Sequence, residues 1–492
     1  MTGWITDFIR FWWALFYWNA RKGWFRLRGA QRDDCPCQNA SDSGLGGDTR
    51  CDAIVHWHQP ERFRRVCPFL VNTAEGLRCS VEAESVRPFW GRVALYGLAL
   101  GVTVYFGATA LVYGVLRLSN YELNYATVAL PTRWPELRLA QEKFYADRAE
   151  AALASSNVPR AIEALEQVCR INPQNYPAGL TLARLARFSG QPGVSEHVYR
   201  RLMSDLPEHR VQTARVWLPV LLANGNYAEI TPLAANMIGE DPAQRAQWLH
   251  ALLFSARQRD QPALLVEVLQ QNPHFPEWCT RLINLEIDLL QKHFERARPG
   301  LTQPLRPLPS DYAAAFQVHH LLQQNRPDDA LALLSVYGSK LSRAEATLLR
   351  LEIFRTNGMT EQAELASASL LNSALTDDVV AKFSAHLLVH PSSESSRLLY
   401  RAVTERGPVL NQESLPLYNS LYLAAVVADE KASSDLLRSQ LRSFAAHEGR
   451  ALDRLAQLLA ERKSNLQIAR HLPLVTLPNE MTYRILHRGV AP

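Results

Sequence analysis

Two hydrophobic patterns divide the 492-residue chain. Between residues 137 and 470, apolar residues recur at helical spacing and short breaks of Gly, Asn, Asp or Pro interrupt them, which predicts a run of helices. Residues 93–116, VALYGLALGVTVYFGATALVYGVL, form instead one uncharged stretch of 24 residues. At about 1.5 Å per residue, such a helix can cross a hydrocarbon core of roughly 30 Å. We therefore predict a transmembrane helix over 93–116, followed by a linker over 118–136.

The first 29 residues carry a third pattern. Five of the eleven tryptophans lie within the first 24 residues. On a helix, residues 4–18 place Asp7 and Arg10 on a polar arc and most of the aromatic side chains on the opposite side. A helix of this kind lies in the membrane surface, where tryptophan favours the headgroup level and the basic residues that follow meet anionic lipid. We predict an amphipathic interfacial helix over 1–29; the alternative is a helix whose aromatic face packs on the protein itself.

Charge helps to orient the chain more than it identifies a partner. The formal net charge of +5 is spread along the sequence, and no block is basic enough to indicate nucleic-acid binding. Residues 1–92 carry 13 Lys and Arg, which favours the cytoplasmic side of a membrane, and no cleavable signal peptide is expected. We therefore expect a single-pass protein of a bacterial inner membrane, with residues 1–92 in the cytoplasm and residues 117–492 in the periplasm or outside the cell.

Five of the seven cysteines fall between residues 30 and 90. In a reducing compartment lasting disulfides are rare, and clustered thiols more often bind metal. A short segment rich in Gly, Asp and Arg also buries little apolar surface, so that a bound zinc ion would supply folding free energy. We predict a zinc-binding module over 30–90. Its candidate ligands are Cys35, Cys37, Cys51, Cys67, Cys79, His56 and His58.

Several alternatives stay open for this cysteine-rich module. The seven candidates could form one site with spare residues, or two sites completed by an acidic residue such as Asp34 or Asp52. An iron–sulfur cluster, redox or disulfide chemistry, and unliganded thiols are further possibilities. Cys169 and Cys279 lie far downstream in apolar helical patterns, for which buried free thiols are expected.

Helix-breaking turns recur along residues 137–470 at steps of 32 to 35 residues. They lie at Asn157, Gly190, Gly225, Asp260, His293, Asn325, Gly358 and Pro391, with a small residue soon after each. A second marker, a proline after the second helix, recurs at Pro173, Pro207, Pro242 and Pro273. Two independent markers thus keep nearly the same period, which predicts a repeated unit of helix, turn and helix.

A repeat of about 34 residues with this order resembles the tetratricopeptide repeat. The positions that carry the resemblance are Ala161, Pro173, Leu182, Ala183, Tyr199 and Pro207. The resemblance implies an all-α fold in which roughly eight to ten hairpins stack into an α-solenoid, with a concave groove that holds peptides, extended segments or folded proteins. The alternative is a helical domain without a ligand groove. Residues 471–492 break the repeat and are expected to cap the last hairpin or to dock elsewhere.

The sequence offers no pattern typical of an enzyme. It lacks GxxxxGK[ST], HExxH, GxSxG and a glycine-rich dinucleotide turn in a strand–turn–helix setting. His319 and His320 are adjacent on a helical repeat, where a surface or packed histidine is favoured over a ligand. We therefore expect a protein without catalytic activity.

Three functional hypotheses follow from these parts. The leading one is a membrane-anchored scaffold or adaptor that binds other proteins through its groove, as a homo-oligomer or within a larger complex. The second is a redox or metal sensor that signals through the cysteine-rich module. The third is a regulator of envelope or polysaccharide assembly, because the parts are similar to those of lipopolysaccharide assembly protein B, in which the cysteines lie at the C-terminal end instead.

Overall fold

The described chain is helical apart from one short β-hairpin and its turns, which confirms the expected helical class. A computed structural model describes residues 12, 13, 16, 70–74, 76–79, 86–119, 121–306, 308–372, 375–461 and 465–487. The chain divides into two compact units, Met1–Phe144 and Tyr145–Pro492.

The β-hairpin lies at the end of the predicted cysteine-rich module. Strands β1 (Leu70–Thr73) and β2 (Gly76–Cys79) are antiparallel, with Leu70 opposite Cys79 and Thr73 opposite Gly76. Cys79 is therefore the last residue of β2. The other candidate ligands lie outside the described residues, so the zinc module stays a prediction; they are Cys35, Cys37, Cys51, Cys67, His56 and His58.

The predicted transmembrane segment lies within helix α1 (Val86–Leu118). Its part Gly97–Leu118 is long and apolar enough to cross a membrane, and none of its apolar window is buried within the protein. Leu98 and Leu111, for example, are 68% and 70% exposed. Exposed apolar surface of this extent is unfavourable in water. Contact with lipid or with another apolar surface removes this unfavourable exposure.

The predicted interfacial helix lies almost wholly outside the described residues. Trp12, Trp13 and Phe16 are described and are helical. The side chains of Trp13 and Phe16 are exposed.

The predicted linker folds back onto α1 instead of extending away from it. Helix α2 (Tyr125–Ala129) is held there by two tyrosine hydroxyls. Tyr105 donates to the carbonyl oxygen of Ala129 at 2.6 Å, and Tyr125 donates to that of Phe106 at 3.0 Å. A 3₁₀ turn at Pro131–Arg133 then leads into helix α3 (Trp134–Ala154), which ends in the second unit. The length rule for a membrane span counts apolar residues and does not take into account polar groups such as these tyrosine hydroxyls.

The second unit is built from α-helices in close succession. They are α4 (Val158–Ile171), α5 (Tyr176–Phe188), α6 (Pro192–Asp205), α7 (Arg210–Asn224), α8 (Tyr227–Glu240), α9 (Arg245–Arg259), α10 (Pro262–Gln271), α11 (Glu277–Leu290), α12 (Phe294–Thr302), α13 (Asp311–Gln323), α14 (Pro327–Tyr337), α15 (Arg343–Thr356), α16 (Thr360–Leu371), α17 (Asp377–Val389), α18 (Ser393–Arg406), α19 (Leu415–Val427), α20 (Lys431–Phe444), α21 (Ala446–Ala460), α22 (Asn465–His471) and α23 (Asn479–His487). Short 3₁₀ turns lie at Pro207–His209, Pro242–Gln244, Gly338–Lys340 and Leu472–Leu474. We call the odd-numbered helices α3 to α21 the first helices and the even-numbered helices α4 to α22 the second helices.

A residue in the left-handed conformation ends the first helix of seven consecutive pairs. These residues are Ser156, Gly190, Gly225, Asp260, Lys292, Asn325 and Gly358, spaced 32 to 35 residues apart. The N–H of the residue after each one donates to a carbonyl oxygen five residues back, as Gln191 does to Ala186 at 2.8 Å. This bond is the Schellman type of helix ending, which leaves the chain pointing back along the helix. The predicted helical repeat is therefore confirmed at the level of helix, turn and helix.

A buried residue follows each of these seven turns at the same distance. The residues five positions after the left-handed ones are Ala161, Ser195, Ile230, Leu265, Ala297, Ala330 and Ala363. Small side chains at most of these positions let the second helix approach its neighbours closely, while Ile230 and Leu265 fill the same place with more volume. The turn predicted at Pro391 has no left-handed residue, because the proline ring fixes a negative φ.

Candidate functional site: the inner face of the repeats

Several first helices are buried on every side, whereas a second helix such as α20 buries a single stripe. In α9 the consecutive residues 251–256 are buried, and in α19 residues 417–425 are buried. In the second helix α20, by contrast, burial is confined to Ser433, Leu437 and Leu441, which share one face. A helix that is apolar all round must be covered all round. The first helices therefore have a cover beyond that of the neighbouring hairpins.

That cover is the end of the described chain, residues 472–487, which we call the C-terminal segment. It begins with the 3₁₀ turn Leu472–Leu474, continues in extended form and ends in α23. The 3₁₀ turn packs against α7 and α21, and α23 packs against α7 and α17. We call the side of the first helices that contacts this segment the inner face. The predicted tail thus docks on the repeats themselves, one of the two outcomes that the sequence left open.

Side chains of first helices form hydrogen bonds to the backbone of the 3₁₀ turn and of the extended part of the segment. Arg187 of α5 donates to the carbonyl oxygen of Pro473 at 2.7 Å, and Asn419 of α19 donates to that of Thr476 at 3.0 Å. Glu448 of α21 accepts from the Thr476 N–H at 3.1 Å and from its hydroxyl at 2.7 Å. Asn419 and Glu448 are themselves buried and are joined to each other at 3.2 Å, so the segment adds to the partners of their polar atoms.

An aromatic box receives Tyr483 from α23. Its ring lies 4.1 Å from the His250 ring and 4.8 Å from the Phe254 ring, measured between centroids, and both partners are on α9. The Tyr312 ring of α13 lies 5.0 Å from His250 on the same box. Burial, followed by the nearby Arg257 charge, lowers the pKa of His250 to about 3, and burial raises the pKa of Tyr483. The box is therefore neutral at ordinary pH.

The next residue, Arg484, meets a carboxylate whose side chain is only 13% exposed. Glu352 of α15 accepts from Arg484 through one oxygen, and its other oxygen lies 2.6 Å from Nε2 of His319 on α13. Burial alone would raise the pKa of Glu352, but Arg484 and His319 outweigh it and hold this pKa well below its usual range. A charged carboxylate in such a place requires a cation, which the segment supplies.

A second buried charge cluster stands beside the aromatic box. Arg257 of α9 donates to both oxygens of Glu286 on α11, at 2.6 and 2.8 Å, and contacts Nε2 of His320 at 3.1 Å. Burial would raise the pKa of Glu286, but Arg257 and His320 bring it down to about 2. Burial lowers the pKa of His320. This cluster ties three successive first helices together beneath the C-terminal segment.

Glu480 gives the segment a group that titrates near neutral pH. Burial raises its pKa to about 7; Lys382 opposes this rise, and Asp378 and Glu345 add to it. Lys382 of α17 lies 2.9 Å from Glu345 and 3.0 Å from Asp378. The lysine charge is thus already shared between two other carboxylates, which is why it does not offset the effect of burial on the pKa of Glu480.

The C-terminal segment also joins the two apolar clusters of the second unit. Tyr483 belongs to the cluster formed by residues 149–353, whereas Met481 and Ile485 belong to the cluster formed mainly by residues 348–477. Leu486 packs against both clusters. The segment therefore contributes to the contact between the two halves of the repeat array.

Four of the residues that the sequence singled out lie within the helical repeats: Cys169, Cys279, His319 and His320. His320 is buried and His319 is paired with Glu352, so both pack within the repeats, as the sequence favoured. Cys169 and Cys279 are buried, as the sequence predicted, and burial raises the pKa of Cys279 to about 12. Among the described residues, no group of three or more His, Cys, Asp or Glu is placed to hold a metal ion.

Sequence reasoning missed the aromatic box and the Glu352 pair. One signal was present, because LHALLFSA in α9 and LYLAAVV in α19 are apolar on more than one helix face. That pattern indicates an additional cover but does not say which segment provides it.

Comparison with known proteins assigns the chain to no family: no family model matches it, and no curated protein matches it. Its function is therefore inferred from its residues and their geometry.

Proposed function

We propose that the chain is a membrane-anchored scaffold of the tetratricopeptide-repeat type, which holds other proteins in a membrane-associated assembly. The observation that carries the proposal is the turn repeated every 32 to 35 residues with a buried residue five positions later. Arrays of such hairpins present long surfaces built from many equivalent helices, and these surfaces suit protein partners.

Helix α1 is the proposed anchor. The exposed apolar surface of Gly97–Leu118 and its length both suit a bilayer. The basic residues of 1–92 favour a cytoplasmic location for that end, which would put the repeats outside the cytoplasm. The cysteine-rich module would then lie in the reducing compartment, where we propose that it binds zinc.

The outer surface of the repeats offers contact positions that the C-terminal segment leaves free. Leu365 on α16 is 68% exposed, and Val409 after α18 is 81% exposed. Single exposed apolar residues are common on soluble proteins, so these two serve as probe positions and not as a defined interface.

The test is site-specific photocrosslinking of the full chain in native membranes. A photoreactive amino acid replaces Leu365 or Val409 in separate variants, and Leu98 on α1 serves as the matched control because it is equally apolar and 68% exposed. We expect discrete protein adducts from the repeat positions and lipid adducts from Leu98. Repeat positions that react only with solvent would contradict the scaffold, and a Leu98 variant recovered from the soluble fraction would contradict the anchor.

A further inference from the structure

The C-terminal segment is held as a bound peptide is held. It is the last described part of the chain, so its departure from the inner face would break no connection between other helices. Its extended part is fixed through backbone carbonyl and N–H groups, and its helix is fixed through two adjacent side chains. Backbone clamps together with side-chain pockets are the usual means of peptide recognition.

The two side-chain sites on the inner face have a definite preference. The box of His250, Phe254 and Tyr312 accepts a flat aromatic ring, and the Glu352 carboxylate accepts a cation next to it. Arginine fits such a carboxylate better than lysine does, because its planar head offers several donors. The inner face thus selects a helix that carries an aromatic residue directly followed by arginine.

The fit between segment and inner face is incomplete in its polar contacts. The buried hydroxyls of Tyr312 and Tyr483 and the buried Oδ1 of Asn479 have no hydrogen-bond partner among the described residues. Buried polar groups without a partner cost free energy relative to the same groups in water. The segment is therefore bound less tightly than its apolar contacts alone would predict. Its release from the inner face lets water hydrate these polar groups.

We propose that the inner face is a helix-binding site that the chain's own C-terminal segment occupies until a partner helix with an aromatic–arginine pair displaces it. The inference rests on the proposed scaffold function, for which it names the recognition chemistry and the regulation. A tethered segment acts at an effective concentration of about millimolar, so only a partner that binds tightly or is concentrated at the same membrane competes with it.

The experiment measures binding of a fluorescent peptide, residues 472–487, to the full chain in lipid nanodiscs. In the Arg484→Ala chain the resident segment is weakened while Glu352 and the aromatic box are intact. We expect this variant to bind the peptide at least about tenfold more tightly than the wild-type chain, whose own segment competes. The same peptide carrying Arg484→Ala should bind the variant about 100-fold more weakly, since it leaves the buried carboxylate without its cation.

The matched control is Arg470→Ala, which removes an exposed arginine of α22 just before the segment. It should leave peptide binding at the wild-type level. An Arg484→Ala chain that keeps its circular dichroism spectrum but binds no peptide would overturn the inference. So would equal binding of the two peptides, since recognition would then not depend on arginine.

Hydrogen exchange on the wild-type chain covers the case in which Arg484→Ala does not fold. If the segment is exchangeable, amides of α23 open locally and exchange at least about tenfold faster than amides of α19. If α23 exchanges only together with α19, the segment is a permanent part of the fold and the inference fails. If only this inference is wrong, the crosslinks from Leu365 and Val409 are still observed. If the proposed scaffold function is wrong, those crosslinks are absent while peptide exchange is still observed.

Discussion

At the scale of single residues, Glu352 shows how the array tolerates charge in its interior. Its partners come from two distant parts of the chain, His319 at a sequence separation of 33 residues and Arg484 at a separation of 132 residues. Each carboxylate oxygen thereby has a partner, which offsets the cost of taking the charge out of water.

Replacing Glu352 by glutamine should therefore destabilise the protein strongly. The change leaves Arg484 near the interior without its counter-charge, and breaking a buried pair typically costs about 3–5 kcal/mol. Thermal unfolding of the full chain in nanodiscs checks this result. Glu405→Gln, at an exposed position of α18, is the control and should lie within about 0.5 kcal/mol of wild type. Equal midpoints for the two variants would contradict the pairing.

Acid should weaken the fold through His386. Burial lowers the pKa of this residue to about 3. The Glu352 charge opposes the decrease, and His390, Arg484 and Arg355 add to it. Its folded pKa lies below the unfolded value of about 6.5, so its stabilising contribution is complete above pH 6.5 and is lost as pH falls toward 3. At pH 5 the loss amounts to about 2 kcal/mol.

The check is the difference in unfolding free energy between wild type and His386→Phe at pH 7.5 and pH 5. This comparison separates the effect of His386 from that of Glu480, which both proteins contain. The raised pKa of Glu480 acts in the opposite direction: its contribution to stability is complete below pH 4.5 and is lost as pH rises through about 7. We expect the wild type to lose more stability than the variant, and an exposed-site control, His274→Gln, to follow the wild type. Parallel losses in all three proteins would show that His386 is not held neutral.

At the scale of single elements, the turns are the part that sequence predicted best. Five of the eight predicted markers are themselves left-handed residues, because Gly, Asp and Asn tolerate this conformation and also stand out in a helical pattern; they are Gly190, Gly225, Asp260, Asn325 and Gly358. At Ser156 and Lys292 the left-handed residue precedes the marker by one position. Neither serine nor lysine favours the left-handed conformation, so the shift could not be read from the residue types.

Lys292→Gly should stabilise the protein. Lys292 has a φ of 59°, a conformation that costs a side-chain residue about 1 kcal/mol and glycine almost nothing. We expect an increase of roughly 0.5–1 kcal/mol in the free energy of unfolding, measured in denaturant. Gly358→Ala, with a φ of 71°, is the opposite change and should destabilise by a similar amount. Destabilisation by Lys292→Gly would contradict the proposed role of this turn.

Charge on α1 should weaken membrane association. Val104 is exposed near the middle of Gly97–Leu118, and an arginine at the centre of a membrane helix costs about 2.5–3.5 kcal/mol. Val104→Arg should move a measurable share of the protein from the carbonate-resistant membrane fraction to the soluble fraction. Val409→Arg, at an exposed position of the repeats, should leave the distribution unchanged; a similar shift in both variants would contradict the anchor.

At the scale of the whole molecule, sequence predicted the order of the parts but not what covers the inner face. Helical periodicity depends on neighbouring residues and can be read directly from the chain. The docking of residues 472–487 depends on contacts with first helices that are far away in sequence, and no local pattern identifies them. In this structure the chain's own C-terminal segment covers the inner face of the first helices, a feature that the repeat pattern did not indicate.

The most direct test of this arrangement is a photoreactive phenylalanine analogue in place of Tyr483 in the full chain, followed by mass spectrometry of the crosslinked peptides. We expect an intramolecular adduct to α9 (Arg245–Arg259), where His250 and Phe254 surround the Tyr483 ring. Adducts only to solvent, lipid or other proteins, with no crosslink to α9, would contradict the account of a scaffold that occupies its own binding face.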